Sequence, residues 1–349
     1  MSPAGSILMT GANGGIGSAI ISRINSTPEL ASYHGIYTVR HRAGEPLPGI
    51  IHSKATHIKH DYETLSLDLS RLENVREVAA VINRKVSAGE IPPIRALILN
   101  AGYQEMDEQR FTEEGLATVF VANYLGHWLL VLLLLQSMDR ERGRIVVLGS
   151  KAHDPSLKQN ARPFADEKWK TILNDSTDPI AKGTWSTQKE DPSWMSGMRR
   201  YGAAKLCSIM MIAELQRRLD IDPNLNNISI LGIDPGTVPT NIARRSPWFI
   251  RILIFRIVLP LVASLQAWRN PKGNNEVRTV DKAAKDVLAA AFDSSPVLGE
   301  QPKGVYLDGS ERAEISPEAQ DPRKREMVWR DSIGYAGLKE GETVLAHWQ

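Results

Sequence analysis

Thr10-Gly11-Ala12-Asn13-Gly14-Gly15-Ile16-Gly17 is the stretch that decides the fold of this chain. An apolar run, Ile7-Leu8-Met9, precedes it, and Ser18-Ala19-Ile20-Ile21 follows as the start of a helix. A strand, a glycine-rich turn and a helix N-terminus, in that order, make a seat for a dinucleotide pyrophosphate. Glycine lets the chain turn tightly and lets backbone approach a phosphate. The first helical turn adds unpaired N–H groups and the positive end of the helix dipole. Plain turns are also glycine-rich, so the motif needs support from the rest of the chain.

That support is a repeated alternation. Short apolar runs at 7–9, 35–40, 65–68, 96–99, 145–148, 228–231 and 304–307 predict strands. Apolar residues at spacings of three and four predict helices at 18–24, 72–86, 116–135, 201–219 and 277–291. The stretch at 43–60 has no clean period and reads as an irregular connection. Alternating strands and helices imply an α/β fold with a doubly wound parallel sheet. Such sheets bind ligands beyond the carboxyl ends of their strands. Thr10-Gly11, Arg40, Asp68, Asn100-Ala101-Gly102, Ser150 and Pro235-Gly236 all fall at those ends. One site is therefore expected to gather them.

Composition narrows the function classes. The chain has 349 residues, 42% hydrophobic and 23% charged, with a formal net charge of +2. That is ordinary globular composition, with no basic excess to suggest nucleic acid. A single cysteine, Cys207, excludes an internal disulfide or a cysteine metal cluster, and no metal site is expected. The N-terminus lacks the basic region and long apolar run of a signal peptide, so a cytoplasmic, reducing location is expected.

Tyr201 and Lys205 stand four residues apart at the start of a strongly periodic helix, where they share a face. A tyrosine is a poor acid–base group near neutral pH unless a nearby cation eases its ionisation. The same spacing also fits a half-buried tyrosine beside a solvated lysine, and Tyr335 and Lys339 repeat it in the tail. Ser150 ends a strand, where a hydroxyl either meets a substrate oxygen or satisfies a turn. Asn123 sits within the long apolar helix and needs partners there, a functional water or nearby backbone. His127, one turn on, reads as a packing histidine.

With these residues in view, the chain resembles the short-chain dehydrogenase/reductase family over about residues 6–310. Thr10 to Gly17 matches its Thr-Gly-x-x-x-Gly-x-Gly turn, and Asn100-Ala101-Gly102 its Asn-Ala-Gly strand end. Asn123, Ser150, Tyr201 and Lys205 fall in the order of its catalytic tetrad, and Pro235-Gly236 with Thr240 matches its Pro-Gly-x-x-x-Thr segment. Asn123 to Trp128, Lys151-Ala152-His153 and the tail from Ser316 to Trp329 look most like the retinol-dehydrogenase and protochlorophyllide-reductase branch. The resemblance implies that Tyr201 protonates a carbonyl oxygen as hydride arrives from a nicotinamide. It implies that Lys205 lowers the tyrosine pKa and holds the nicotinamide ribose, that Ser150 bonds the substrate oxygen, and that Asn123 supports a relay water. Gly11, Asn13, Gly15, Ile16 and Gly17 would clasp the pyrophosphate, and Asn100, Ala101 and Gly102 would border the cofactor. Asp68 and Leu69 would cradle the adenine, Thr240 the carboxamide. The second strand ends on Arg40, with Arg42 behind it and no acid before Glu45. An NAD site commonly has an acid there, whereas a guanidinium suits a 2′-phosphate, so NADP(H) is expected.

Ser150 and Tyr201 are much further apart than is usual in the family. This implies an insertion at 154–199, expected as a flap beside the substrate cleft. The apolar segment 248–268 occupies the substrate-lid position. It reads as a lid over a lipophilic substrate, as a peripheral membrane contact, or as a dimer or core-packing helix. Residues 311–349 are expected to pack on the domain as a tail. The expected activity is NADPH-dependent reduction of a ketone or aldehyde on a bulky apolar small molecule. The rivals are an alcohol dehydrogenase running oxidatively and a non-catalytic NADPH sensor or scaffold.

Overall fold

A computed structural model describes residues 3–40, 60–106, 108–240, 258–270 and 273–349. Arg42, Glu45, most of the 43–60 connection and residues 248–257 lie outside the described residues. Seven strands run parallel: β1 Ser6–Met9, β2 His34–Val39, β3 Tyr62–Ser66, β4 Ile94–Leu99, β5 Arg144–Leu148, β6 Ser229–Asp234 and β7 Tyr306–Asp308. A two-residue strand, β8 Glu311–Arg312, pairs antiparallel with β7. The sheet order is β3-β2-β1-β4-β5-β6-β7-β8. The chain thus winds outward from β1 to β3, then crosses back to β4. The crevice at that reversal, between the ends of β1 and β4, is where such a sheet binds its ligand.

Both faces of the sheet are covered, which is why its strands read as unbroken apolar runs. Leu97 and Leu99 of β4, with Ile145 and Val147 of β5, face one layer. That layer holds α2 Leu72–Ser87, α3 Gly126–Leu134 and α4 Trp194–Ile221. Ala96, Ile98, Val146 and Leu148 face the other, toward α1 Gly15–Ser26 and α6 Val280–Phe292.

Two helices differ from the sequence expectation. The helix at 116–135 is not one regular helix. A turn at Thr118–Phe120 leads into a π-helical turn, Val121–Leu125, before α3 begins. The stretch Thr118–Ser137 is long and apolar enough to cross a membrane, but it is almost wholly buried in this layer. The helix expected from Tyr201 starts at Trp194, about two turns earlier. Ser193 caps it, its Oγ accepting from Met195 N at 3.3 Å. Its polar first turns are buried: Arg199 donates to Ser186 Oγ and Pro163 O, both at 2.8 Å, and pairs with Asp191 at 2.5 Å. α5, Leu259–Arg269, is the described end of the 248–268 segment, for which the sequence leaves lid, membrane contact and dimer or core-packing helix all open. It leaves Leu261 67% and Trp268 79% exposed, so this part is not a buried core helix.

Residues 154–199 build a small layer of their own. Phe164, Trp169, Ile172, Leu173 and Ile180 are buried, Trp169 meets Trp185 edge-on at 5.3 Å, and Arg199 lies 4.4 Å over the Trp169 ring. The C-terminal residues clasp this layer and α4. Glu318 accepts from Ile172 N and Leu173 N, and Lys324 Nζ donates to Leu173 O at 2.6 Å. Tyr335 of α7, Pro322–Ala336, donates to Asp178 Oδ1 at 2.5 Å. The second Tyr/Lys pair of the sequence therefore has a structural tyrosine. Trp329 of the same helix is buried between Trp128, 5.3 Å away, and the Arg218 guanidinium, 4.5 Å away.

Candidate active site

The glycine turn is held open by its neighbours. Asn100 Nδ2 donates to Thr10 O at 2.8 Å and to Gly11 O at 3.0 Å, tying the end of β4 to the end of β1. Gly11 has φ +68°, and a β-carbon on it would lie 2.9 Å from Ala101 Cα. A β-carbon on Gly17 would sit 2.5 Å from Gly11 O. Only glycine fits either place. Gly14 precedes α1 without a side-chain cap, and the first turn of α1 carries no acid. The helix end therefore offers its amides and dipole to an anion.

Thr10 fixes the base of the turn. Its Oγ1 accepts from Ala101 N at 3.0 Å and meets His127 Nε2 at 2.9 Å. His127 Nδ1 faces the Asn123 carbonyl at 3.5 Å and so carries the ring proton, which leaves Nε2 to accept from Thr10 Oγ1; burial lowers the His127 pKa to about 3, with Lys205 adding to the effect. His127 is neutral, packed and bonded.

A cavity of about 190 Å³ opens above this turn. Gly11, Asn13, Gly15, Ile16, Arg40, Asp68, Leu69, Asn100, Ala101, Gly102 and Thr240 all line it. Eleven residues expected from the sequence thus share one wall system, although they come from the ends of five strands. Gly17 packs beneath it. Arg40 is exposed at the rim, while Asp68 is engaged locally, its Oδ1 accepting from Ser70 N at 3.0 Å and Ser70 Oγ at 2.6 Å. The fit to a dinucleotide rests on this chemistry: an uncapped helix end, close-packed glycine backbone and a rim cation.

A second cavity, about 460 Å³, adjoins the first and shares Ile16 and Thr240 with it. Ser150, Tyr201, Pro235 and Gly236 line it, with Met106, Trp194, Met198 and Val238 as apolar wall. Trp194 and Met198 come from the 154–199 stretch, as do Gln159 and Asn160. Ser150 caps the short helical turn Lys151–His153, its Oγ accepting from Ala152 N at 3.2 Å. The Tyr201 hydroxyl faces the side chains of Ser150 and Gln104. Tyr201 is only 6% exposed, and burial raises its pKa although the Ser150 and Gln104 side chains pull it down. The phenol is thus firmly protonated.

Lys205 and Asn123 lie behind this wall and line neither cavity. Lys205 Nζ donates to Leu148 O at 2.8 Å and lies 5.8 Å from the centre of the Tyr201 ring. Burial lowers its pKa to about 8, against the pull of the Asp234 carboxylate. Asn123 occupies the π-helical turn. Its Oδ1 accepts from Tyr103 N at 2.9 Å, and its Nδ2 donates to Tyr103 O and Val119 O at 2.8 Å. The side chain therefore clasps the loop after Gly102, and the backbone carbonyl accepts from Ser208 Oγ at 3.1 Å.

Sequence reasoning missed Gln104 and Asp234, which both line the second cavity. Each had a signal: Gln104 stands two residues past Asn100-Ala101-Gly102, and Asp234 is the last residue of β6. His153, also missed, holds the Ser150 turn. Its Nε2 accepts from Ser316 N at 3.2 Å, so its Nδ1 donates to Ser150 O at 2.7 Å.

Comparison with known proteins bears on the family and the fold. A family model described as short chain dehydrogenase matches residues 6–161. The chain is 44% identical to the short-chain dehydrogenase iccH of Talaromyces variabilis, over the whole of both chains. It is 25% identical to the protochlorophyllide reductase of Avena sativa, over 95% of this chain and 99% of that one. Among solved structures, the NADPH-bound carbonyl reductase from chicken fatty liver shares the fold. That match has a TM-score of 0.53 and 14% identity, covering 90% of this chain and 100% of that one. With an α/β sheet wound about the Gly11–Gly17 turn and a relative this similar along its full length, the chain belongs to the short-chain dehydrogenase/reductase family of oxidoreductases.

Proposed function

We propose that the protein is an NADPH-dependent reductase acting on a ketone or aldehyde of a bulky apolar substrate, with Tyr201 as the proton donor. The observation that carries this reading is the placing of Ser150 and Tyr201 together on one cavity with Met106, Trp194 and Met198, directly beside the glycine-turn cavity. The dinucleotide supplies the hydride. This chain's residues supply the rest. Ser150 holds the carbonyl oxygen, and Tyr201 Oη gives its proton to that oxygen as the carbonyl carbon gains hydride. The raised pKa of Tyr201 keeps the proton in place until an alkoxide develops. Lys205, cationic below its pKa, steadies the negative charge left on the phenol. The test is NADPH consumption across steroid, retinoid and polyketide ketones. Failure to bind any nicotinamide dinucleotide, or to reduce any ketone, would count against the reading.

Arg40 supports NADPH over NADH. It stands at the cavity rim at the end of β2, where an NAD site commonly has an acid. Charge-assisted bonds to a 2′-phosphate are worth about 1.5–3 kcal/mol. Arg40→Ala should therefore cut the NADPH-over-NADH preference about 10- to 100-fold, measured as the ratio of the two kcat/KM values. Equal affinity for both dinucleotides, unchanged in the variant, would remove Arg40 from the site.

A pH dependence follows from Lys205. The ammonium is present below about 8 and lost above it. Reductive kcat/KM of the free enzyme should therefore fall as pH rises through about 8. A flat profile to well above that pH would show that the lysine charge plays no part in the step.

A further inference from the structure

Asp234 has no role in the reading above, yet it touches both walls of the second cavity. It ends β6 and is 4% exposed. One carboxylate oxygen accepts from Lys151 N at 2.6 Å, in the turn that carries Ser150. The other accepts from Gly236 N at 2.7 Å, in the loop that carries Pro235 and Val238. A closed ring of charge backs this clip. Lys151 Nζ pairs with Asp308 Oδ2 at 2.8 Å, and Asp308 Oδ1 pairs with Arg278 Nη2 at 2.5 Å. Arg278 Nη1 returns to Asp234 O at 3.0 Å, where Gly309 N also donates at 2.9 Å.

We propose that Asp234 is a positioning residue for the reaction: its ionised carboxylate clips the Ser150 turn to the Pro235-Gly236 loop and supplies the fixed negative charge beside Tyr201 and Lys205. A capping aspartate alone would bond its own loop. This one spans two loops from different strands, one from each side of the space a carbonyl must enter. This side chain is the one that bonds both the Ser150 turn and the Pro235-Gly236 loop, and small displacements there are costly to rate.

The charge has a matching effect. Asp234 raises the pKa of Lys205 and of Tyr201, favouring ammonium and neutral phenol together, the pair of states a proton donor needs. The groups around it are Lys151 on its turn, Asp308 and Tyr306 on β7, Arg278 before α6, His153, and Tyr201 and Lys205 on α4. Burial and Asp308 push the Asp234 pKa up, against the two amide bonds and Lys151.

The proposal rests on the reductase reading, and the two fail separately. If Tyr201→Phe keeps its turnover, the reductase reading fails whatever Asp234 does. The test of Asp234 uses NADPH with 9,10-phenanthrenequinone as a flat apolar diketone, following kcat, KM and the pH profile. Asp234→Asn keeps the shape, loses the charge and replaces one acceptor with an amide donor. It should lower kcat about 10- to 100-fold and move the alkaline limb of kcat/KM to lower pH, because Lys205 loses its supporting charge. Should that variant not fold, Asp308→Asn serves in its place. Removing Asp308 lowers the Asp234 pKa, so the acid limb should move to lower pH. The proposal is overturned if Asp234→Asn keeps kcat within twofold. It is also overturned if rate is lost with the alkaline limb unmoved, which assigns Asp234 to turn stability alone. An unmoved acid limb in Asp308→Asn, where the first variant does not fold, overturns it as well.

Discussion

Tyr201→Phe should lower kcat for carbonyl reduction about a thousandfold, within the range that positioned acid catalysis contributes. NADPH affinity should stay within a few-fold, because the lost group lies in the second cavity and not over the glycine turn. The phenyl ring keeps the packing of a side chain that is nearly fully buried. Only the hydroxyl goes, which removes a buried polar group facing the Ser150 and Gln104 side chains. A modest fall in Tm is expected alongside the large fall in rate. Single-turnover assays with NADPH and a reducible ketone, together with dinucleotide titration, read both quantities. An enzyme working oxidatively gives the same loss in both directions, since one proton site serves forward and reverse, but the sensor rival gives another result. A sensor shows no turnover to lose and keeps its output in the variant. Turnover that survives the substitution would place the proton donor elsewhere.

Gly17→Ala should cost at least about a hundredfold in NADPH affinity, equivalent to some 2.7 kcal/mol. The added β-carbon would meet Gly11 O at 2.5 Å, and Ala12 Cα and O at 3.0 Å. All three are backbone atoms, so relief requires the turn itself to move. The turn cannot move alone, because Asn100 Nδ2 holds Thr10 O and Gly11 O, and Ala12 N donates to Thr38 O at 2.9 Å. The displacement therefore spreads to the ends of β2 and β4. Fluorescence titration with NADPH and thermal melts of the ligand-free protein measure the two consequences. Unchanged affinity would mean that the pyrophosphate does not seat on this turn.

The sheet was legible in the sequence because its strands are buried on both faces and end on polar residues. Thr10, Asn100 and Ser150 each mark a place where an apolar run stops and a cleft begins. Errors arose where one segment depends on a distant one. The π-helical turn at Asn123 has no local signature, since its clasp is the Tyr103 backbone. The early start of α4 looked like loop because Arg199 and Arg200 are charged. Their partners, Ser186, Pro163 and Asp191, are supplied by the inserted stretch. β3 was placed three residues late at its start, at 65 instead of 62, because Tyr62, Glu63 and Thr64 interrupt the apolar pattern on this edge strand. Within the site, strand-end position located the residues but not their duties. Asp234 satisfied the same rule as Ser150 and was passed over, because a carboxylate before Pro-Gly has a ready explanation as a turn residue.

The clasp made by the C-terminal residues has a consequence for how the protein is born. Tyr124 bonds Ser332, Leu132 O accepts from Thr343, Asp222 accepts from Ala346 N, and Arg218 donates to His347 O and Gln349 O. Each pair joins a helix-layer residue to one translated more than a hundred positions later. A ribosome therefore completes every strand of the sheet before the cover for α3 and α4 exists. At that moment the nascent chain has its strand order available and Trp128 still lacks Trp329. Exposed apolar surface of this kind is what holdase chaperones bind and what drives aggregation when they are scarce. The yield of folded protein in a foreign host should accordingly depend on translation speed and chaperone supply more than on the stability of the finished molecule.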